Sequence, residues 1–265
     1  MANKLTRYIK VYSLFAKNSV LVDMEYRFSF VFKNFASLLW MVGSLFFINT
    51  LFQQTNDIAG WTKQEVTLLY VAFSFASDIF HVFLRGNFEK FSSLTRKGEL
   101  DWLLLRPINS RFLVSFMTSG VDLYSMFRLV AGVALLFYFM PDGTTWLNVL
   151  AFYSFIILGL TAVYSVAYML HTLNIWFVRL DNMTHLSQMS LELSKVPLDA
   201  WPKIVQTIFI YLLPVGVIST FAVQALFGRL NLSMVPISLA IAGGLLFISQ
   251  KFWNFALRHY SSASS

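Results

Sequence analysis

At 265 residues, with 57% hydrophobic and 12% charged residues and a mean hydropathy of +0.63, the chain is too apolar for a water-soluble domain, which carries about 25% charge. The absence of cysteine excludes disulfide staples, thiolate metal sites and cysteine nucleophiles. The formal charge of +7 suits either a nucleic-acid surface or a membrane-orientation bias, and the placement of the cations decides between them.

Residues 1–27 interleave Lys4, Arg7, Lys10 and Lys17 with Leu5, Ile9 and Tyr12 at helical spacing. The pattern predicts an interfacial helix with its cations toward anionic lipid, not a cleaved signal peptide. Six apolar blocks follow at 28–52, 66–84, 112–140, 146–178, 204–227 and 234–257. Each is long enough to cross a bilayer core, which takes about 20 residues as helix. Pro214 and Pro236 lie inside the last two blocks, where neighbouring helices are expected to satisfy the freed carbonyls. With both termini on one side, the segments sharing that side hold 17 of the 20 Lys and Arg, the opposite loops hold only Lys63 and Arg229, and Arg128 falls within a span. The positive-inside rule then places both termini in the cytoplasm. Topology accounts for the basic charge, so no nucleic-acid partner is expected.

No run reads G-x-x-x-x-G-K-[ST] or H-E-x-x-H, and His81, His171, His185 and His259 are scattered. No catalysis, metal or cofactor is therefore expected on this chain. Charges within spans are costly and mark site candidates by default: Asp78 and His81 in the second block, three apart on one face, and Asp122 and Arg128 in the third. Asp122 and Arg128 stand roughly 240° apart around a helix and do not pair within it. Arg128 is expected to face protein or a wet cavity. For Asp78, His81 and Asp122, structural pairing is the commoner use, with substrate contact as the alternative.

The segment 85–111 is long for a turn and contains Gly98-Glu-Leu-Asp-Trp-Leu-Leu-Leu-Arg-Pro107. A short helix is predicted, with Glu99 and Asp101 in its first turn and Pro107 ending it. Leu100, Leu103 and Leu104 share one face, which leaves Trp102 and Arg106 for another surface. Pattern alone suits a helix resting on headgroups as well as one that docks on a partner.

The run G-E-L-D-W-L-L-L-R-P-I-N at 98–109 resembles the G-x-L-D-x-L-L-x-R-P-x-N run of a bacterial branch of ABC-2 type transporter permeases, where it forms the cytoplasmic coupling helix. Val196-Pro-Leu-Asp-Ala-Trp-Pro202 leading into Leu213-Pro-Val-Gly216 is similar to that branch's entry to the fifth span, and Phe252-Trp253 through Arg258-His-Tyr-Ser-Ser262 looks like its C-terminal signature. The likeness covers nearly the whole chain. One departure is the proline-free connection at 227–231. The resemblance implies an all-α integral membrane protein forming a single domain over 1–265. Its parts would be six transmembrane helices, an N-terminal amphipathic interfacial helix, and a coupling helix within the cytoplasmic loop 85–111, between spans two and three. It further implies a subunit of an ATP-binding cassette exporter in the bacterial inner membrane, paired with a second permease that is a related chain or another copy. Two copies of a separate ATPase would bind the ATP and Mg, with Glu99, Leu100, Asp101, Trp102, Arg106 and Pro107 as the coupling residues. The alternatives are an ATP-independent secondary transporter, for which Gly216, Gly243 and Gly244 are a thin basis, and a membrane enzyme, which would need clustered carboxylates or histidines.

Overall fold

The structure, a computed structural model, describes residues 4–25, 27–117, 123–177 and 183–260. These residues form helices and connecting turns, with no strand among them. The helices are α1 (Lys4–Glu25), α2 (Arg27–Leu51), α3 (Lys63–Arg96), α4 (Leu100–Leu104), α5 (Ser110–Phe116) and α6 (Leu123–Phe139). After these come α7 (Trp146–Ile175), α8 (Met183–Glu192), α9 (Lys203–Tyr211), α10 (Val217–Leu226) and α11 (Met234–Arg258). Three of them, α3, α7 and α11, are long and apolar enough to cross a membrane.

Polar contacts define two ends of the bundle. At one, which we call the Thr62 end, Gln64 Nε2 donates to the Phe139 carbonyl at 2.9 Å, and Asn148 Nδ2 donates to the carbonyls of Ala225 and Leu226 at 3.2 and 3.1 Å. The starts of α3 and α7 therefore meet the ends of α6 and α10. At the other, the Pro107 end, Ser92 Oγ stands 3.2 Å from His171 Nδ1, and Trp253 Nε1 donates to Ser110 Oγ at 3.2 Å.

Helix α3 starts on a capping box: Thr62 Oγ1 accepts from the Glu65 amide, and Glu65 Oε2 accepts from the Thr62 amide at 2.8 Å. It then runs 34 residues, about 50 Å, through a π turn at His81–Arg85. Much of the segment expected as a loop from 85 is thus the continuation of this helix, which carries its far end beyond any bilayer core of about 30 Å. Gly98 ends it at φ +69°, with the Gly98 amide donating to Thr95 and the Glu99 amide to Leu94. This is a Schellman motif, and glycine suits it because the left-handed conformation crowds a Cβ.

The N-terminal helix packs on the bundle through two tyrosines. Tyr8 meets Phe112 edge-on at 4.5 Å, and Tyr12 lies 6.3 Å from Phe83 and 6.0 Å from Phe116. Ile9, read as part of the apolar face with Tyr12, is 61% exposed. The inward positions 8 and 12 match the four-residue spacing of Phe112 and Phe116 on α5.

The largest departure concerns the fifth apolar block. Residues 204–227 form two short helices, not one span, separated by Leu212–Gly216. The residue before a proline avoids helical geometry, and Pro214 has no amide to continue the ladder. Ahead of them, Thr184 on α8 lies 3.5 Å from His171 at the Pro107 end, Lys195 Nζ stands 4.6 Å from the Phe73 ring centroid, and Trp61 Nε1 donates to Asp199 at 2.8 Å. The chain therefore passes from one end of the bundle to the other over 183–199. Next, α9 turns back to where Leu213 and Pro214 border Val163 and Ala167, and α10 returns to Asn148. At nine and ten residues, these two helices are each about 15 Å long, half a bilayer core. His185, Gln188, Glu192 and Lys195, with the hydroxyl residues among them, hide the end-to-end passage over 183–195 from a hydropathy reading, and Lys195 and Glu192 pair at 3.5 Å. Ser187, Ser190 and Ser194 each donate to a carbonyl of their own helical segment, at 2.9, 3.0 and 2.6 Å, so their polarity is satisfied locally.

Helix α7 is central, packing against α3, α8, α10 and α11. Its contact with α10 needs Gly159, where a Cβ would stand 2.9 Å from the backbone N of Ile218. Small residues allow such close helix approach in lipid. Gly159→Ala is expected to destabilise the protein by about 1–3 kcal/mol, read as a lower unfolding midpoint in detergent, whereas Gly43→Ala, which meets nothing within 4 Å, should leave it unchanged. Because the chain lacks cysteine, single cysteines report topology cleanly. Lys203→Cys and Asn231→Cys should label with an impermeant maleimide from the same side of the membrane, and Lys97→Cys from the other. Labelling of positions 203 and 97 from one side would restore a single fifth span at 204–227.

Candidate functional site

The short helix α4 occupies the Pro107 end. Leu100 and Leu103 are buried and Leu104 packs partly on the core, whereas Trp102 is 77% and Leu105 81% exposed. Arg106 and Pro107 are also exposed. The burial follows the leucine spacing, but Leu105, which that spacing does not single out, joins Trp102 on the outside. Asp101 is tied inward as the acceptor of a hydrogen bond from Tyr260. Partial burial and the adjacent carboxylate hold the Tyr260 phenol above its ordinary pKa, so it remains a protonated donor. A cleft of about 210 Å³ runs beside α4, lined by Phe15 of α1, Lys90 and Leu94 of α3, and Glu99, Trp102 and Arg106. The surface at this end is thus built jointly by α1, α3 and α4.

Deeper in the bundle, Arg128 Nη2 lies 2.6 Å from Asp78 Oδ1 and joins α6 to α3. Asp78 is buried and Arg128 partly so. The pair borders a cavity of about 150 Å³ lined by Ser37, Trp40, Tyr70 and Ser74, large enough and polar enough to hold water. Arg128 therefore meets both protein and a cavity. His81 starts the π turn and does not line that cavity. Asp122 lies outside the described residues. Trp40 and Tyr70 also border a larger apolar cleft, about 580 Å³, between α2, the first turns of α3 and Lys195–Pro197.

Two polar features escape a reading of the spans. Glu65 is buried at the Thr62 end and ion-pairs with Arg229; the Thr62-x-x-Glu65 capping box is the sequence signal for it. Arg111, counted in sequence as a loop cation, turns into the bundle and bonds to α7 and α11. No sequence spacing announces that contact. Among the described residues, no group of three or more His, Asp or Glu is placed to hold a metal ion.

Set beside known families, residues 38–264 match the one described as ABC-2 family transporter protein. A comparison with curated proteins finds none that matches.

Removing one partner of a buried ion pair strands the other, whereas removing both does not. Asp78→Asn alone is expected to cost roughly 2–4 kcal/mol. Combined with Arg128→Gln, the loss should fall well short of the sum of the two singles. Chemical unfolding of the purified chain in detergent measures this, and additive losses would show that the pair does not couple α3 to α6.

Proposed function

The chain belongs to the ABC-2 family of transporter proteins, and from that premise we propose that it is the permease of an ATP-binding cassette exporter driven by separate ATPase subunits. Membership makes it a membrane-embedded, multi-pass transport subunit. The further reading is carried by one observation: the helix that leads through Gly98 into the exposed α4 segment also walls the apolar cleft. Val66 and Tyr70 of α3 line that cleft, and the same helix continues through its π turn to Arg96. A push on Trp102, Leu105 and Arg106 from an ATPase is transmitted along a rigid rod. The Asp78–Arg128 pair carries α6 with it, and the cleft between α2 and α3 opens or closes.

In this reading, residues 27–51, 63–96, 123–139, 146–175, 183–199 and 234–258 make six crossings, and α9 with α10 forms a re-entrant pair at the Thr62 end. Relocating Lys195 and Lys203 leaves 15 of the 20 Lys and Arg on the Pro107 side, which the positive-inside rule assigns to the cytoplasm. ATP and Mg then bind two ATPase copies on that side. Helix α2 exposes Trp40, Phe46 and Phe47, an aromatic surface suited to lipid and to a second permease across the path.

A tagged chain co-expressed with its ATPase should retain it through purification. Trp and Arg are the side chains that most often dominate such contacts. Trp102→Ala and Arg106→Ala should each weaken ATPase binding by about tenfold or more, with the permease's own unfolding midpoint unchanged because both side chains are exposed. Full retention by both variants would remove α4 as the coupling element.

A further inference from the structure

Arg111 begins α5 at the Pro107 end, and its guanidinium is held from three sides. Nε donates to the Tyr164 hydroxyl at 3.3 Å, Nη1 to Gln250 Oε1 at 2.8 Å and Nη2 to Ser249 Oγ at 2.7 Å, with the Tyr168 ring centroid 4.6 Å away. Every one of these partners is neutral. Among the described residues no carboxylate pairs with this cation, and two of its five N–H donors remain for another acceptor.

Beside it a groove of about 580 Å³ opens on the outside of the bundle between α5, α7 and α11. Phe112 and Phe116 line it going inward along α5, and Phe247 and Gly243 line it going inward along α11. The charged group therefore stands at the end of the groove nearest the membrane surface, and the walls become apolar toward the bilayer centre. An uncompensated fork of donors above an apolar channel matches an amphipathic anion, and guanidinium geometry matches phosphate oxygens.

We propose that this groove binds an anionic phospholipid of the leaflet on the Pro107 side, with its phosphate on Arg111 and an acyl chain along Phe112, Phe116 and Phe247. The site depends only on the chain being embedded in a membrane, so it stands or falls separately from ATPase coupling. A soluble phosphate would leave the apolar walls unused, and a zwitterionic lipid would leave the net positive charge unbalanced.

Gly243 provides a clean probe, because a Cβ there meets nothing within 4 Å. Gly243→Leu fills the groove without disturbing the hydrogen bonds of Arg111. The test is native mass spectrometry of the full chain released from micelles holding equal amounts of phosphatidylglycerol and phosphatidylcholine, with glycerol 3-phosphate added in a separate arm. The wild-type chain should retain phosphatidylglycerol by about tenfold over phosphatidylcholine, the scale of one charge-assisted contact. Glycerol 3-phosphate should not displace it, and Arg111→Gln and Gly243→Leu should each abolish the preference. No preference in the wild type, displacement by glycerol 3-phosphate, or full preference in a folded Gly243→Leu variant overturns the site. Should Arg111→Gln fail to fold, Gly243→Leu decides alone.

Discussion

In hydrocarbon, every backbone amide must find its partner within the protein, and the shape of this chain turns on how it meets that demand where its helices stop. The same accounting is visible at the turn 196–202, where the chain reaches the Thr62 end. The Leu198 amide donates to Thr220 Oγ1 at 3.0 Å, and Gln206 Nε2 donates to the Trp201 carbonyl at 2.8 Å. Irregular backbone is tolerated there because α10 and α9 supply the missing groups. Thr220 itself lies on the π turn that opens α10, buried against α7. Helices α9 and α10 and the segment before them are therefore one unit, held by contacts from each to the other.

The second organising element is α3. A capping box sets its start and a glycine its end, so its two termini are both specified by local chemistry. Between them it touches the surface cleft at the Thr62 end, the ion pair with Arg128 and the exposed segment at the Pro107 end. Stiffness makes this arrangement useful: a continuous helix moves as a rod, and Tyr12 of α1 stacks on Phe83 within its π turn. The interior ion pair extends the rod's influence to α6. The paired charges there join helices instead of forming an isolated site, in keeping with the cost of leaving either one alone in lipid.

Much of the fold was legible in the sequence, and the places where it was not share a cause. Blocks at 146–178 and 234–257 read as spans and are long apolar helices, because aliphatic and aromatic residues fill most of their positions and charges are few. The segment at 183–195 read as a connection because His185, Gln188, Glu192 and Lys195 lower its hydropathy, yet Leu191 and Ser187 are buried against the bundle and Lys195 pairs with Glu192. Conversely, 204–227 has the length and apolarity of a span, and its division depends on how Pro214 and Gly216 meet Leu198 and α7. Hydropathy sums over residues and is blind to direction of travel. The α4 segment was legible for the opposite reason: its leucine spacing, its bounding Gly98 and its terminal Pro107 all act within ten residues.

What the sequence by itself determined is membrane residence, the long apolar helices and the amphipathic segment before Pro107, since composition, periodicity and cap chemistry are local properties. Only the tertiary structure decided which side of the bundle residues 195–203 reach, that Asp78 faces Arg128, that Glu65 meets Arg229, and that Arg111 turns inward to α7 and α11. Each of these joins residues far apart in the chain. Their pairing follows from which helices pack together and by how many residues each is offset, and no spacing along the sequence encodes that.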